Sequence, residues 1–403
     1  VVGQLRGELA QQQLVGVQRV AGVPAQLLGQ GAGIAAHLIQ GLARDAGDGA
    51  HVGQGALEGA LRPLALLLLV AVLLLVGWKA LPGRTPAIPA GHDPIALLEP
   101  VRIGGIEQWL LIRGQDRSAP VLLWLHGGPG AAQMPLAHAT TRELERDFVV
   151  VHWDQRGAGK SNPRGFDTST MTMDRFIADA REVTRHLQDR LGAAQIIVLG
   201  HSWGTMLGAR LVASAPQDYA AYIGVGQQVS TSAGLAVTLD RLAPLIRSRG
   251  SAAHLSWLDN ATVEGLQEHR AYAETMGMLD TYGGGMNVPL HRLVWMLIAA
   301  TEYSLGDLAR WLDGAQRGSG PMWPDYRRRD LMAEVPVMPV PMILISGAQD
   351  LNTPVELVKR WFELVDAPEG KHHIVFDASG HAPFLTEPDH FVEIVRSVLD
   401  IER

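Results

Sequence analysis

The chain has 403 residues, 47% of them apolar, a formal net charge of -7 and no cysteine. That length allows two or three units with a large buried core, and the missing thiols exclude disulfides, thiolate metal sites and a cysteine nucleophile. An acidic balance without a long basic run argues against a nucleic-acid partner, and the 15 histidines fall in no ligand spacing, so neither a metal nor a cofactor is expected.

Residues 1–60 are rich in Gly, Gln and Ala, nearly free of aromatics, and without a period that would give a buried face. They are expected to be a poorly ordered tail or an extension upstream of the natural start. Within 61–80, the run Leu64 to Gly77 is uncharged and almost wholly aliphatic, bracketed by Arg62 and Lys79 with Trp78 at its edge. It suits a signal-peptide core or a short signal anchor, being brief for a bilayer core of roughly 30 Å. Membrane association through residues 64–78 and an extracytoplasmic catalytic part, anchored or secreted, are the expectation; a cytoplasmic location follows if the N-terminal segment is spurious. A Pro/Gly-rich linker is expected over 81–99.

From about Pro100 the pattern becomes that of a packed α/β domain. Val101 to Arg113 alternates around Gly104-Gly105, predicting an antiparallel hairpin at a sheet edge. Apolar strands are predicted at Val121–Leu125, Phe148–Trp153, Ile196–Leu199, Ala221–Val225, Met342–Ile345 and His373–Phe376. Continuous apolar strands alternating with helices imply a mostly parallel sheet covered on both faces. Met173, Phe176, Ile177, Ala180, Val183, Leu187 and Leu191 share one helical stripe. Residues 100–229 and 331–403 are therefore read as the core. The stretch 230–330, helical in pattern and rich in Trp and Tyr, is read as a cap over the site.

The strand at Ile196 ends in Gly200-His201-Ser202-Trp203-Gly204, G-x-S-x-G, and a helical pattern follows. A serine on a sharp strand-to-helix turn is exposed for attack, and the helix N-terminus favours negative charge beside it. Such a nucleophile needs a base held by a third group. Asp350 stands just past the strand Met342–Ile345 and His381 in the loop beyond the last strand, in the chain order Ser, Asp, His. Asp377, four residues before His381, is read as shaping the turn, and His201 as a packing or hydrogen-bonding residue. Oxyanion donors are expected from the backbone of Trp203 and of Gly128, with Gly127 next, in the loop His126-Gly127-Gly128-Pro129-Gly130. Gly157-Ala158-Gly159-Lys160-Ser161 lacks the glycine a phosphate loop needs at Asp154 and is read as a tight turn closed by charge pairing.

These stretches, H-G-G-P-G at 126–130, D-Q-R-G-x-G-x-S at 154–161, G-H-S-W-G at 200–204, S-G-A-Q-D-L-N-T-P at 346–354 and S-G-H at 379–381, resemble the proline iminopeptidase branch of the α/β-hydrolase superfamily. The resemblance spans about residues 100–403. It implies an α/β-hydrolase fold with a helical cap after the strand that follows the nucleophile elbow, and the roles nucleophile, acid and base for Ser202, Asp350 and His381. Members that remove an N-terminal proline usually carry G-G-S-W-G, where this chain has His201, and bind the substrate ammonium with cap glutamates in a W-E context absent here. Glu302 is the best substitute, although Ser304-Leu305-Gly306-Asp307 beside it reads as a capping box. The expected function is a serine hydrolase of a small amide or ester, most naturally an aminopeptidase on a short peptide. A carboxylesterase or lactonase on the same triad is the alternative, and a non-catalytic ligand-binding protein of the same fold a minor one. Oligomeric state has no signal in the sequence.

Overall fold

Strands form where β-branched and aliphatic runs have both faces covered. In the computed structural model, which describes residues 73–401, eight of them make one sheet. These are β1 (Ile95–Ile103), β2 (Ile106–Gly114), β3 (Val121–Leu125), β4 (Val149–Asp154), β5 (Ile196–His201), β6 (Tyr219–Val225), β7 (Met342–Gly347) and β8 (Lys371–Phe376). Their order is β1-β2-β4-β3-β5-β6-β7-β8. The β1–β2 and β2–β4 pairs are antiparallel and all others parallel. The hairpin turns at Gly104 and Gly105, both at positive φ, where a residue without Cβ is unstrained.

Helices of nine residues or more are labelled α1 (Met173–Leu191), α2 (Trp203–Ser214), α3 (Thr231–Arg249), α4 (Ala252–Asn260), α5 (His269–Met278), α6 (Leu290–Ala299), α7 (Leu305–Arg317), α8 (Val355–Leu364) and α9 (Pro388–Arg396). Alternation along β3 separates two cores. Leu123 and Leu125 pack with Phe176, Val183 and Leu187 of α1, Met206 and Leu211 of α2, and Val358 and Trp361 of α8. Leu122 and Trp124 face the other way, onto Phe384 and onto Phe391 and Val395 of α9. Burial of apolar side chains on both faces is the main force holding these layers. Helix α1 carries the stripe read from sequence, with Thr172 capping its start through Arg175 N and Gly192 closing it in the left-handed region. Between β6 and β7 the chain forms α3 to α7 and short helical turns, with no strand in that interval.

The 81–99 linker expectation is corrected. The sheet begins inside that segment, at Ile95, which is buried and pairs with Gly114. Upstream of it, Arg113 Nη1 donates to Thr85 Oγ1 at 2.6 Å and to the Pro86 carbonyl at 2.7 Å, while Arg84 N donates to Thr301 O at 3.0 Å. Pro and Gly composition signals a loop but not the distant groups that bind it. Residues 73–80 are helical, and among the described residues no helix is long and apolar enough to cross a membrane. The expectations for 1–60 and for most of the apolar run lie outside the described residues.

The elbow glycines have no room for a side chain. A Cβ on Gly204 would fall on the Leu125 carbonyl and lie 2.8 Å from His126 O, and one on Gly200 would lie 2.7 Å from the Thr205 Cα. Gly204→Ala is expected to destabilise the fold by about 1–3 kcal/mol, the usual range for forcing a methyl into packed backbone. A urea titration against the unsubstituted chain measures it.

Candidate active site

Parallel strands deliver their C-terminal ends to one edge. Register pairs Leu125 with Gly200, His201 with Val225, Val225 with Ile345 and Gly347 with Phe376. The loops carrying Gly127, Ser202, Asp350 and His381 all leave that edge, as expected where a parallel sheet binds ligands.

Ser202 sits at φ 55° and ψ -121°, immediately before α2. A non-glycine residue there is strained by about 1–3 kcal/mol, and the surroundings hold it: Ser202 N donates to Val225 O at 3.0 Å, and Thr205 N donates to Ser202 O at 2.9 Å. Trp203 opens the helix directly after Ser202, so its N–H has no acceptor within α2. Gly127 lies against the serine, since a Cβ there would be 3.1 Å from Ser202 Cβ. Gly128 adopts φ 114°, a conformation that favours glycine.

His381 Nδ1 donates to Asp350 Oδ2 at 2.8 Å. The Asp350 carboxylate is fully buried and also accepts from Asn352 N (2.7 Å), Thr353 N (2.9 Å) and Thr353 Oγ1 (2.6 Å). Burial alone would raise its pKa, but the neighbouring His381 and these donors outweigh it and hold the carboxyl below its ordinary value. The pair fixes the imidazole with its Nδ1 protonated, leaving Nε2 to accept a proton.

A cavity of about 450 Å³ opens at this edge, lined by Ser202, His381, Gly127 and Gly128 from the core and by residues of the helical segment, among them Tyr272, Leu293, Leu297 and Trp311. Its wall is largely apolar, and among the described residues no aspartate or glutamate lines it. The arrangement brings together Ser202, His381, Asp350, Trp203, Gly127 and Gly128.

It does not bring Glu302 to the cavity. That carboxylate is fully buried and accepts from His138 Nε2 at 2.8 Å. Burial pushes its pKa up, and the hydrogen bond and charge of His138 bring it below the ordinary value. The adjoining capping box between Ser304 and Asp307 is present in full. Lys79 Nζ donates to Ala300 O (2.5 Å) and Tyr303 O (2.6 Å), closing the turn that Glu302 occupies. The ammonium-binding reading of Glu302 is corrected on this geometry: a capped, clamped turn faces it away from the substrate space.

Three polar residues that brace the site were not singled out from sequence. Thr353 bonds the acid, and the turn Asp350-Leu351-Asn352-Thr353-Pro354 carries a local signal for it, an Asp followed by turn formers. Gln155 accepts from Trp203 Nε1 (3.0 Å) and donates to His126 O (3.1 Å), while Gln133 donates to His201 Nδ1 (2.8 Å). Those partners are far apart in the chain, so no local pattern marks them. His201 Nε2 donates to His381 O at 2.9 Å, a bracing role. His126 Nδ1 donates to Gly127 O at 2.7 Å and its Nε2 accepts from Gln155 N at 3.1 Å, holding the glycine loop. The 154–161 turn is closed by Arg156 on Asp179 and Lys160 on Asp307, both at 2.8 Å.

A strained serine at a strand-to-helix turn, a glycine loop beside it and a buried His–Asp pair on one sheet edge define a hydrolase of the nucleophile-elbow class. A family model described as alpha/beta hydrolase fold matches residues 120–388. The chain is 30% identical over 306 residues to a probable aminopeptidase, YbaC, of Bacillus subtilis (strain 168), covering 74% of this chain and 94% of that protein. It is 24% identical over 299 residues to the proline iminopeptidase of Heyndrickxia coagulans, covering 70% and 90%. Its fold is similar to the crystal structure of a proline iminopeptidase of Mycobacterium smegmatis, with TM-score 0.55 at 20% identity over 76% of this chain and 99% of that one. The chain belongs to the α/β-hydrolase family, in its proline iminopeptidase-like branch.

Burial pushes the pKa of His126 down to about 4 and those of His152 and His201 to about 3. Below pH 6.5 the unfolded chain protonates these rings while the fold keeps them neutral, so acid favours unfolding. Burial raises Asp154 to about 7; the folded state keeps a proton there that the unfolded chain releases above about pH 4, which opposes one of the three. Unfolding free energy should therefore fall as pH drops from 6.5 to 4.5, each uncompensated proton counting about 1.4 kcal/mol per pH unit. His152→Gln should flatten the slope by about one proton, read from denaturant titrations at both pH values.

Proposed function

We propose that this enzyme cleaves a small amide or ester through an acyl-enzyme, with Ser202 as nucleophile, His381 as general base and Asp350 as the group that orients it. The observation that carries this reading is the 2.8 Å His381–Asp350 bond behind a serine that lines the same cavity. In the proposed reaction Ser202 Oγ attacks the carbonyl carbon while its proton passes to His381 Nε2. The carbonyl oxygen becomes an oxyanion facing the backbone N–H groups of Trp203 and of Gly128 or Gly127. Collapse of that intermediate expels the amine or alcohol, which takes the proton back from His381. Water then attacks the acyl-enzyme by the same proton path and frees the acid.

The printed names of the relatives, a probable aminopeptidase and a proline iminopeptidase, favour release of an N-terminal residue such as proline. A second reading, a carboxylesterase or lactonase on the same triad, is favoured by the lining of the cavity. An N-terminal ammonium held in a dry site calls for a carboxylate partner, and the lining has none; the Arg317 guanidinium there turns to Asp313 and Asn162. The apolar run at 64–78 supports attachment to, or export across, a membrane, with the catalytic unit outside the cytoplasm.

Ser202→Ala should abolish labelling by a fluorophosphonate and lower kcat by at least about 10³-fold, and Asp350→Asn should lower kcat by roughly 10³–10⁴-fold with KM little changed. Unimpaired turnover in the serine variant would overturn the mechanism. A panel of prolyl and other aminoacyl amides beside short acyl esters separates the two substrate readings. Turnover confined to free-amino substrates supports the peptidase, and inert amides beside hydrolysed esters support the esterase.

A further inference from the structure

Helix α6, Leu290–Ala299, reads L-H-R-L-V-W-M-L-I-A and is apolar on almost every side. A helix with that pattern is normally enclosed by protein or by lipid. Here Leu293 and Leu297, one turn apart, line the substrate cavity, and Met296 is buried. The flank of the helix beside that stripe is open: Leu290 is 59% and Val294 40% exposed, and further round Trp295 is 68% exposed. Leu305, at the start of the next helix, is exposed as well. Away from this zone and from the apolar run that precedes it, the exposed large apolar side chains among the described residues are Leu81, close to that run, and Leu255, Val337 and Leu364, far apart in the chain.

The C-terminal end of α6 is also where the chain emerging from the apolar run is fastened. Lys79 is 3% exposed, and its ammonium binds the carbonyls of Ala300 and Tyr303 at the helix end, where a cation complements the helix dipole. Trp78 lies over that ammonium, 5.0 Å from ring centroid to Nζ. Arg84 N bonds Thr301 O, and a Cβ on Gly83 would fall on the Glu302 carbonyl. The fastening is therefore a close fit. Ten residues of helix rise about 15 Å, so the open face of α6 begins within that distance of the point where Lys79 is held. The uncharged run Leu64–Gly77 ends two residues before Lys79.

We propose that the outward face of α6 lies in the interfacial layer of a lipid bilayer, beside the point where the apolar run enters it. The inference rests on the run's own affinity for lipid, and adds to it a second contact made by the folded unit. Leu290, Val294 and Trp295 enter the boundary between headgroups and acyl chains; Trp295 and Trp78 are suited to that depth by an apolar ring with one polar N–H. His291 and Arg292, exposed on the same helix, meet anionic headgroups, and α6 carries no carboxylate to repel them. Helix α6 then meets lipid along a flank that adjoins the stripe lining the substrate cavity, which favours acyl substrates that partition into membranes.

The chain contains no cysteine, so single labels can be placed without background. Full-length Val294→Cys and Trp295→Cys variants carrying a nitrobenzoxadiazole label are mixed with phosphatidylcholine vesicles containing phosphatidylglycerol, and Leu364→Cys serves as control. Flotation with vesicles tests the apolar run by itself. The proposal expects about twofold or greater quenching of the labels at 294 and 295 by a shallow spin-labelled lipid, as for an interfacial helix, with none at 364. If the chain floats but aqueous iodide quenches the labels at 294 and 295 as it does the one at 364, the docking is wrong and the run still anchors. If neither lipid nor iodide reaches 294 and 295, protein covers the face, from residues 1–72 or a second copy, and the proposal is equally overturned. Failure to float removes the run's role as well.

Discussion

The site depends on one close approach, that of the start of α2 to the end of β3. Gly204 meets the carbonyls of Leu125 and His126 so tightly that even a methyl group would not fit. With the helix pressed against the strand end, Ser202 must turn through a conformation that side chains rarely adopt, and its hydroxyl is left facing the cavity. The same contact brings the start of α2 up to the glycine loop, where Gly127 lies against Ser202. Strain of this kind persists only where the surroundings over-determine it. Here they include the Val225 and Thr205 bonds to the serine backbone and the Gln155 link between Trp203 and His126.

Around that contact the polar groups divide into two sets with different work. Asp350, His381, Thr353, His201 and Gln133 form a chain of hydrogen bonds from the acid to the far side of the base. Burial keeps His201 neutral, so it can donate to the His381 carbonyl and accept from Gln133 without placing a second charge beside the His381–Asp350 pair. The second set joins core and helical segment. Lys160 pairs with Asp307, Asp154 accepts from Tyr303 and Lys160 N, and Glu302 pairs with His138. Groups so buried are costly unless partnered, which ties the 300–307 turn to one position. Glu302 thus serves the seating of the helical segment over the core.

The cavity joins these sets through α6 and α7. Leu293 and Leu297 reach into it from α6, and Trp311 of α7 donates to Ala132 O at 2.7 Å beside the glycine loop. Chemistry supplied by the core therefore meets a substrate space shaped mainly by apolar groups from the helices. The elbow, the glycine loop and the His–Asp pair come from the core, while most of the residues lining the cavity come from the helical segment.

By itself the sequence determined what depends on neighbours in the chain. Strands were legible because an apolar run buried on both faces leaves its mark residue by residue, and α1 because its stripe repeats at helical spacing. The placement of Ser202, Asp350 and His381 at one sheet edge was legible because each follows a strand, and parallel strands must deliver their C-terminal ends to one edge. Only the tertiary structure decided what depends on groups remote in sequence: the docking of residues 79–86 against 300–303, the Gln133 and Gln155 braces, and the turning of Glu302 toward His138 instead of the cavity. A side chain's partner across two hundred residues is chosen by how the layers pack, and no local periodicity records that choice.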